Sequence, residues 1–95
     1  MAKPKTKLEN KPKTVVAPAP KWNVVVLNDP INYQGYVVIA FVSVLRINNT
    51  EAKKLMRIIH QDGRTTVWTG ERERAEMLAL ELQQWHLNAL LEKDA

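Results

Sequence analysis

Tyr33-Gln34-Gly35-Tyr36-Val37-Val38-Ile39-Ala40-Phe41-Val42-Ser43-Val44-Leu45-Arg46-Ile47 is the stretch on which the fold turns. Its β-branched content favours a strand. Its length, and the spacing of Val37, Ala40, Phe41, Val44 and Leu45, fit one face of a helix. Asn32 stands in front of it as a candidate N-cap. Pattern alone leaves both readings open.

The flanking segments are plainer. Trp22 to Leu27 is a short β-branched run closed by the turn signal Asn28-Asp29-Pro30. Pro30 cannot sit in a central ladder, so the strand stops there. On the other side, Asn48-Asn49-Thr50 offers N-caps. Ala52, Leu55, Met56 and Ile59 then form a helical stripe, and Asp62-Gly63 ends it. Arg64 to Thr69 alternates like a strand, and Gly70 breaks it. Glu71 to Trp85 reads as a helix with Ala75, Leu78, Ala79, Leu82 and Trp85 on one face. Leu87 to Leu91 returns as a final strand. The order is β-α-α-β-α-β, an α+β class with strands and helices in two layers about one core.

Composition bounds what such a domain does. At 95 residues one domain is the natural reading. There is no cysteine and only two histidines, His60 and His86, which excludes a disulfide framework and a thiolate metal site. No cofactor or metal is expected. The formal charge of +4 is unevenly placed. Residues 1–21 hold six lysines against Glu9, while residues 22–95 hold eight basic and nine acidic side chains. The basicity belongs to the tail, so nucleic-acid binding by the domain is not expected. Four of the five prolines fall in residues 1–20. Residues 1–21 are therefore expected to be a disordered basic arm, and residues 22–95 the folded core. The N-terminus has charges but no apolar stretch behind them, which argues against a secretory signal. The longest apolar run, Tyr36 to Val42 with an extension to Leu45, is half of what a membrane span needs. A cytoplasmic protein without membrane association is expected.

One constellation carries chemistry. Asn28 and Asp29 put acceptor-rich side chains at a strand end. Met56, Ile59 and His60 share a helical face through offsets of three and four. Together they can form a shallow pocket with a polar mouth and an apolar floor. Such a mouth suits an ammonium group, which brings three donors, and the floor suits a large side chain. Taken singly, Asn-Asp-Pro is usually a turn, Met56 and Ile59 are usually core, and His60 simply favours a helix C-terminus.

These residues carry a resemblance. Val24-Val25-Val26-Leu27-Asn28-Asp29, followed by Met56-Arg57-Ile58-Ile59-His60-Gln61-Asp62-Gly63-Arg64, is similar to the ClpS family of N-degron adaptors for Clp AAA+ proteases. Ala75-Glu76 and Leu91-Glu92-Lys93 match the family further on, so the resemblance spans residues 22–93. It implies a single β-α-α-β-α-β domain, with an antiparallel three-stranded sheet packed on three helices. It thereby makes the Tyr33–Ile47 stretch a helix. The ribosomal stalk protein shares this fold in its C-terminal domain, so the fold alone would not imply the function.

By resemblance, Asn28, Asp29 and His60 hold the α-amino group of an N-degron. Ile31, Asn32, Gln34, Ile47, Met56, Ile59 and Leu87 wall the pocket for its bulky first side chain, and Met56 lines the pocket rather than the core. Glu73 falls at a position that contacts the Clp ATPase. Many members read Asn-Asp-Asp-x-Thr-Pro-Met where this chain reads Asn28-Asp29-Pro30-Ile31-Asn32-Tyr33-Gln34, and a branch with Asp-Pro-x-Asn is nearer. Gln34 replaces a gate-like methionine, and an amide is a poorer apolar wall.

The implied function is a non-enzymatic, monomeric adaptor. It delivers proteins with bulky hydrophobic N-terminal residues to a ClpA- or ClpC-type ATPase. The alternative is a ribosome- or nucleic-acid-associated protein using its basic arm. A hydrolase built on His60 and Asp29 stands a distant third, because no nucleophile is evident.

Overall fold

A computed structural model of the chain describes residues 19–94. The basic arm expected over residues 1–21 lies, as far as residue 18, outside the described residues. The elements are β1 (Trp22–Leu27), α1 (Gln34–Leu45), α2 (Asn49–Asp62), β2 (Arg64–Gly70), α3 (Arg72–Gln84) and β3 (Ala89–Lys93).

β1 is the central strand, paired antiparallel with β2 on one side and β3 on the other. Its Val24, Val25 and Val26 are all buried. An unbroken valine run suits a strand covered on both faces. Val24 and Val26 join the core beneath the helices. Val25 faces the opposite way by the pleat. On that side Arg64 of β2 reaches Glu92 of β3 at 2.6 Å, spanning β1 between them. Asn23 extends the same ladder, accepting from Thr69 and donating to Asp94.

The alternation of β2 is not regular. Val24 pairs with Trp68 while Val25 pairs with Thr66, so Val67 is the extra residue of a β-bulge. Consecutive Val67 and Trp68 both pack against the core as a result. Gly70 completes β2, because a Cβ there would run into the Trp68 ring.

The ambiguous stretch is helical. Val37, Ala40, Phe41 and Val44 are its buried residues, at the spacing of one helical face. Phe41 is wholly enclosed. With β1 already flanked by β2 and β3, this segment gains more by packing on α2 and α3 than its β propensity offers. Tyr33, not Asn32, takes the N-cap position, and it makes no side-chain cap bond. The expectation for Asn32 is corrected: its amide is engaged elsewhere, with Asp29 and His86.

α2 starts as expected, with Asn48 accepting the Glu51 N–H at 2.8 Å. It ends at Gly63, whose φ of 87° returns its N–H to Ile59. The third strand begins at Ala89, two residues later than the sequence pattern places it. The four residues before it are needed to turn the chain. Trp85 caps α3, His86 takes φ 65°, and Leu87 folds back with its N–H on the Leu82 carbonyl. Tyr36 clamps this turn to α1, stacking tilted on Trp85 at 5.6 Å and donating its hydroxyl to the Trp85 carbonyl at 2.7 Å.

Two glycines make opposite predictions. Gly63 sits where an L side chain is strained, so Gly63→Ala is expected to cost about 1 kcal/mol. Gly35 lies in α1 with open space where a Cβ would be, so Gly35→Ala is expected to stabilise by about 0.5–1 kcal/mol. Urea unfolding of both variants should show midpoints displaced in opposite directions.

Candidate functional site

The end of β1 is tied to the end of α2. Asn28 donates its N–H to the Gly63 carbonyl at 2.8 Å, and Leu27 donates to the Asn88 carbonyl at 2.9 Å. These two bonds bring the β1–α1, α2–β2 and α3–β3 connections to one place. A cavity of about 310 Å³ opens there.

Eight of the ten expected pocket residues line it: Asn28, Asp29, Asn32, Gln34, Met56, Ile59, His60 and Leu87. Asn28 and His60 are exposed at its mouth, whereas Met56, Ile59 and Leu87 are buried. The cavity therefore has a polar rim and an apolar base. It also lies against the last turn of α2, whose carbonyl end carries partial negative charge. With the Asp29 carboxylate beside it, the rim favours a cationic guest.

Asp29 is committed to the loop as well. One carboxylate oxygen accepts the Ile31 N–H at 2.8 Å, and the other accepts the Asn32 amide at 2.9 Å. The Asn32 amide also donates to the His86 carbonyl at 3.2 Å. This bracing orders the loop across the Asn28-Asp29-Pro30 turn. Each carboxylate oxygen keeps a further lone pair for a guest donor.

Two expected wall residues do not line the cavity. Ile31 is 85% exposed, because the turn that Asp29 fastens sends its side chain outward. Ile47 lies past the far end of α1, roughly 18 Å along the helix from Gln34 at 1.5 Å per residue. It lines a separate hollow with Leu55, Ile58 and Val67. Met56 corrects another expectation. It is only 6% exposed and belongs to the core cluster, so it both lines the cavity and fills the core. Glu73 sits apart from the cavity, in a shallow depression on α3 with Glu76, Met77 and Leu80.

Val37 and Asn88 line the cavity and were missed as site residues. Val37 is legible in the sequence only as part of the buried stripe of α1. Asn88 reaches the site through the turn after Leu87, which strand-like spacing concealed.

Comparison with known proteins decides the family. The family model described as ATP-dependent Clp protease adaptor protein ClpS matches residues 17–89. The chain belongs to the ClpS family. A ClpS adapter protein of Streptomyces coelicolor is 33% identical over 90 residues, covering 93% of this chain and 94% of that one. The one from Corynebacterium jeikeium is 32% identical over 82 residues, covering 86% and 81%. The fold matches that of Agrobacterium tumefaciens ClpS2, solved bound to L-phenylalaninamide. The TM-score is 0.77 at 23% identity, over 79% of this chain and 98% of that one. As a ClpS protein the chain is an adaptor of an ATP-dependent Clp protease rather than an enzyme. Among the described residues no helix is long and apolar enough to cross a membrane.

The loop bracing is testable by itself. Asp29→Ala removes the acceptor of the Ile31 N–H and a partner of Asn32, and is expected to cost about 1–2 kcal/mol. Asp29→Asn keeps one acceptor oxygen and is expected to cost less. Urea denaturation measures both, and hydrogen exchange at the Ile31 amide should quicken in the alanine variant.

Proposed function

We propose that this ClpS adaptor captures proteins by their first residue. Asn28, Asp29 and His60 hold the α-amino group, and a bulky apolar first side chain enters the cavity. The supporting observation is the gathering of those three side chains at the mouth of a cavity based on Met56, Ile59 and Leu87. An ammonium group meets three acceptors and the carbonyl end of α2 there. At about 310 Å³ the cavity is at the small end of ligand sites, suited to one large side chain. The ligand of the Agrobacterium protein has this chemistry, a free α-amino group beside a benzyl side chain. Gln34 at the rim replaces an apolar wall with an amide, so selectivity among Leu, Phe, Tyr and Trp is set partly there.

Captured proteins are delivered to a Clp ATPase of ClpA or ClpC type, with the domain acting as a monomer. The α3 depression supports a docking role for Glu73. Met77 and Leu80 are each 55% exposed there, rimmed by Glu73 and Glu76 and sharing no residue with the cavity. The lysine- and proline-rich residues 1–18 contribute to delivery rather than to capture.

Capture is tested by fluorescence polarisation with a Phe-initiated peptide and its N-acetylated twin. Acetylation removes the charge and two donors, so affinity is expected to fall about tenfold or more. Equal affinity for the two peptides would falsify this reading.

Delivery is tested separately, by degradation of a Phe-initiated reporter with a Clp ATPase and its protease. Deleting residues 2–18, or introducing Leu80→Asp, is expected to slow degradation while leaving peptide affinity within about twofold. Unaltered degradation by both variants would place docking and delivery elsewhere on the chain.

A further inference from the structure

Gln34 and Met56 wall two hollows. On one side lies the cavity. The other is a shallower groove of about 260 Å³, completed by Gly35, Val38, Lys53 and Arg57. Gly35 leaves its floor open, with nothing near the position of an absent Cβ. The two hollows therefore share a rim.

Among the described residues the charge of this groove is unmet. Lys53 and Arg57 are exposed and four residues apart, on one stripe of α2. The helical neighbours of Lys53 at offsets of three and four are Asn49, Thr50, Met56 and Arg57. Those of Arg57 are Lys53, Lys54, His60 and Gln61. No carboxylate is among them, so the two cations repel rather than compensate. Neither enters the ion pairs found among the described residues, Arg64–Glu92 and Arg72–Glu76. The surface thus runs from acceptors at Asn28, Asp29 and His60 to cations at Lys53 and Arg57.

We infer that the groove is a second recognition subsite, which takes an acidic side chain from the second or third residue of the bound chain. This rests on the proposed capture of the first residue in the cavity. An extended chain advances roughly 3.3 Å per residue, so those two residues fall within reach of the shared Gln34–Met56 rim. A free ammonium followed by a carboxylate matches the polarity of the surface, and an ammonium followed by a lysine opposes it. The adaptor therefore ranks substrates that share a first residue by the charge that follows it.

The test is a polarisation titration of peptides beginning Phe-Gly-Gly, Phe-Glu-Gly, Phe-Gly-Glu, Phe-Lys-Gly and Phe-Gly-Lys. An acidic peptide is expected to bind about three- to tenfold tighter than Phe-Gly-Gly, and its basic counterpart more weakly. The spread should shrink at high salt, as for exposed charges. Lys53→Gln with Arg57→Gln should erase the ranking, and Lys53→Glu with Arg57→Glu should invert it. If all five peptides bind alike, or the ranking survives both double variants, the subsite is absent while capture of the first residue stands. If no peptide binds, capture fails and this inference falls with it.

Discussion

The bond from the Asn28 N–H to the Gly63 carbonyl is the constraint on which the site depends. It joins the first residue beyond β1 to the residue that ends α2. Gly63 makes it possible by adopting a left-handed conformation, turning the chain from α2 straight into β2. β2 then pairs with β1 back along its length, from Leu27 opposite Arg64 to Trp22 opposite Gly70. His60 is three residues before this junction and Asp29 one residue beyond it. Groups 31 positions apart in sequence are thereby held at one rim.

A second set of contacts keeps the third wall in place. Asn32 and Tyr36 both donate to carbonyls in the turn after α3, at His86 and Trp85. That turn delivers Leu87 to the cavity and Asn88 to β1. The loop after β1, the start of α1 and the start of β3 are thus mutually braced by side chain-to-backbone bonds. A site formed from three connections needs such bracing, because loops have few ladder bonds of their own.

The cavity base is made of core residues. Met56, Ile59, Leu87 and Val37 all belong to the buried cluster and also line the cavity. Packing that holds the helices on the sheet thus also shapes the recess, and changes at these positions act on stability and on the shape of the recess together. The polar rim is separable from this packing. Asn28, His60 and Gln34 are exposed, so their chemistry can vary at little cost to the core.

Much of this was legible in the sequence. The valine run of β1, the Asn48 cap, the Gly63 stop and the stripes of α2 and α3 are local patterns, and each became the element it signals. The family motif also named most of the cavity lining. By residue pattern alone, however, the Tyr33–Ile47 stretch is both strand-like and helix-like. Its state is decided by the surfaces of α2 and α3 that receive Val37, Ala40, Phe41 and Val44. The outward turn of Ile31, the remoteness of Ile47 and the arrival of Asn88 were likewise settled in three dimensions. Sequence by itself determined which residues form the elements and which carry polar chemistry, because periodicity and caps act within a few residues along the chain. Only the tertiary structure decided which side chains share a wall, because that depends on bonds between segments that the chain places far apart.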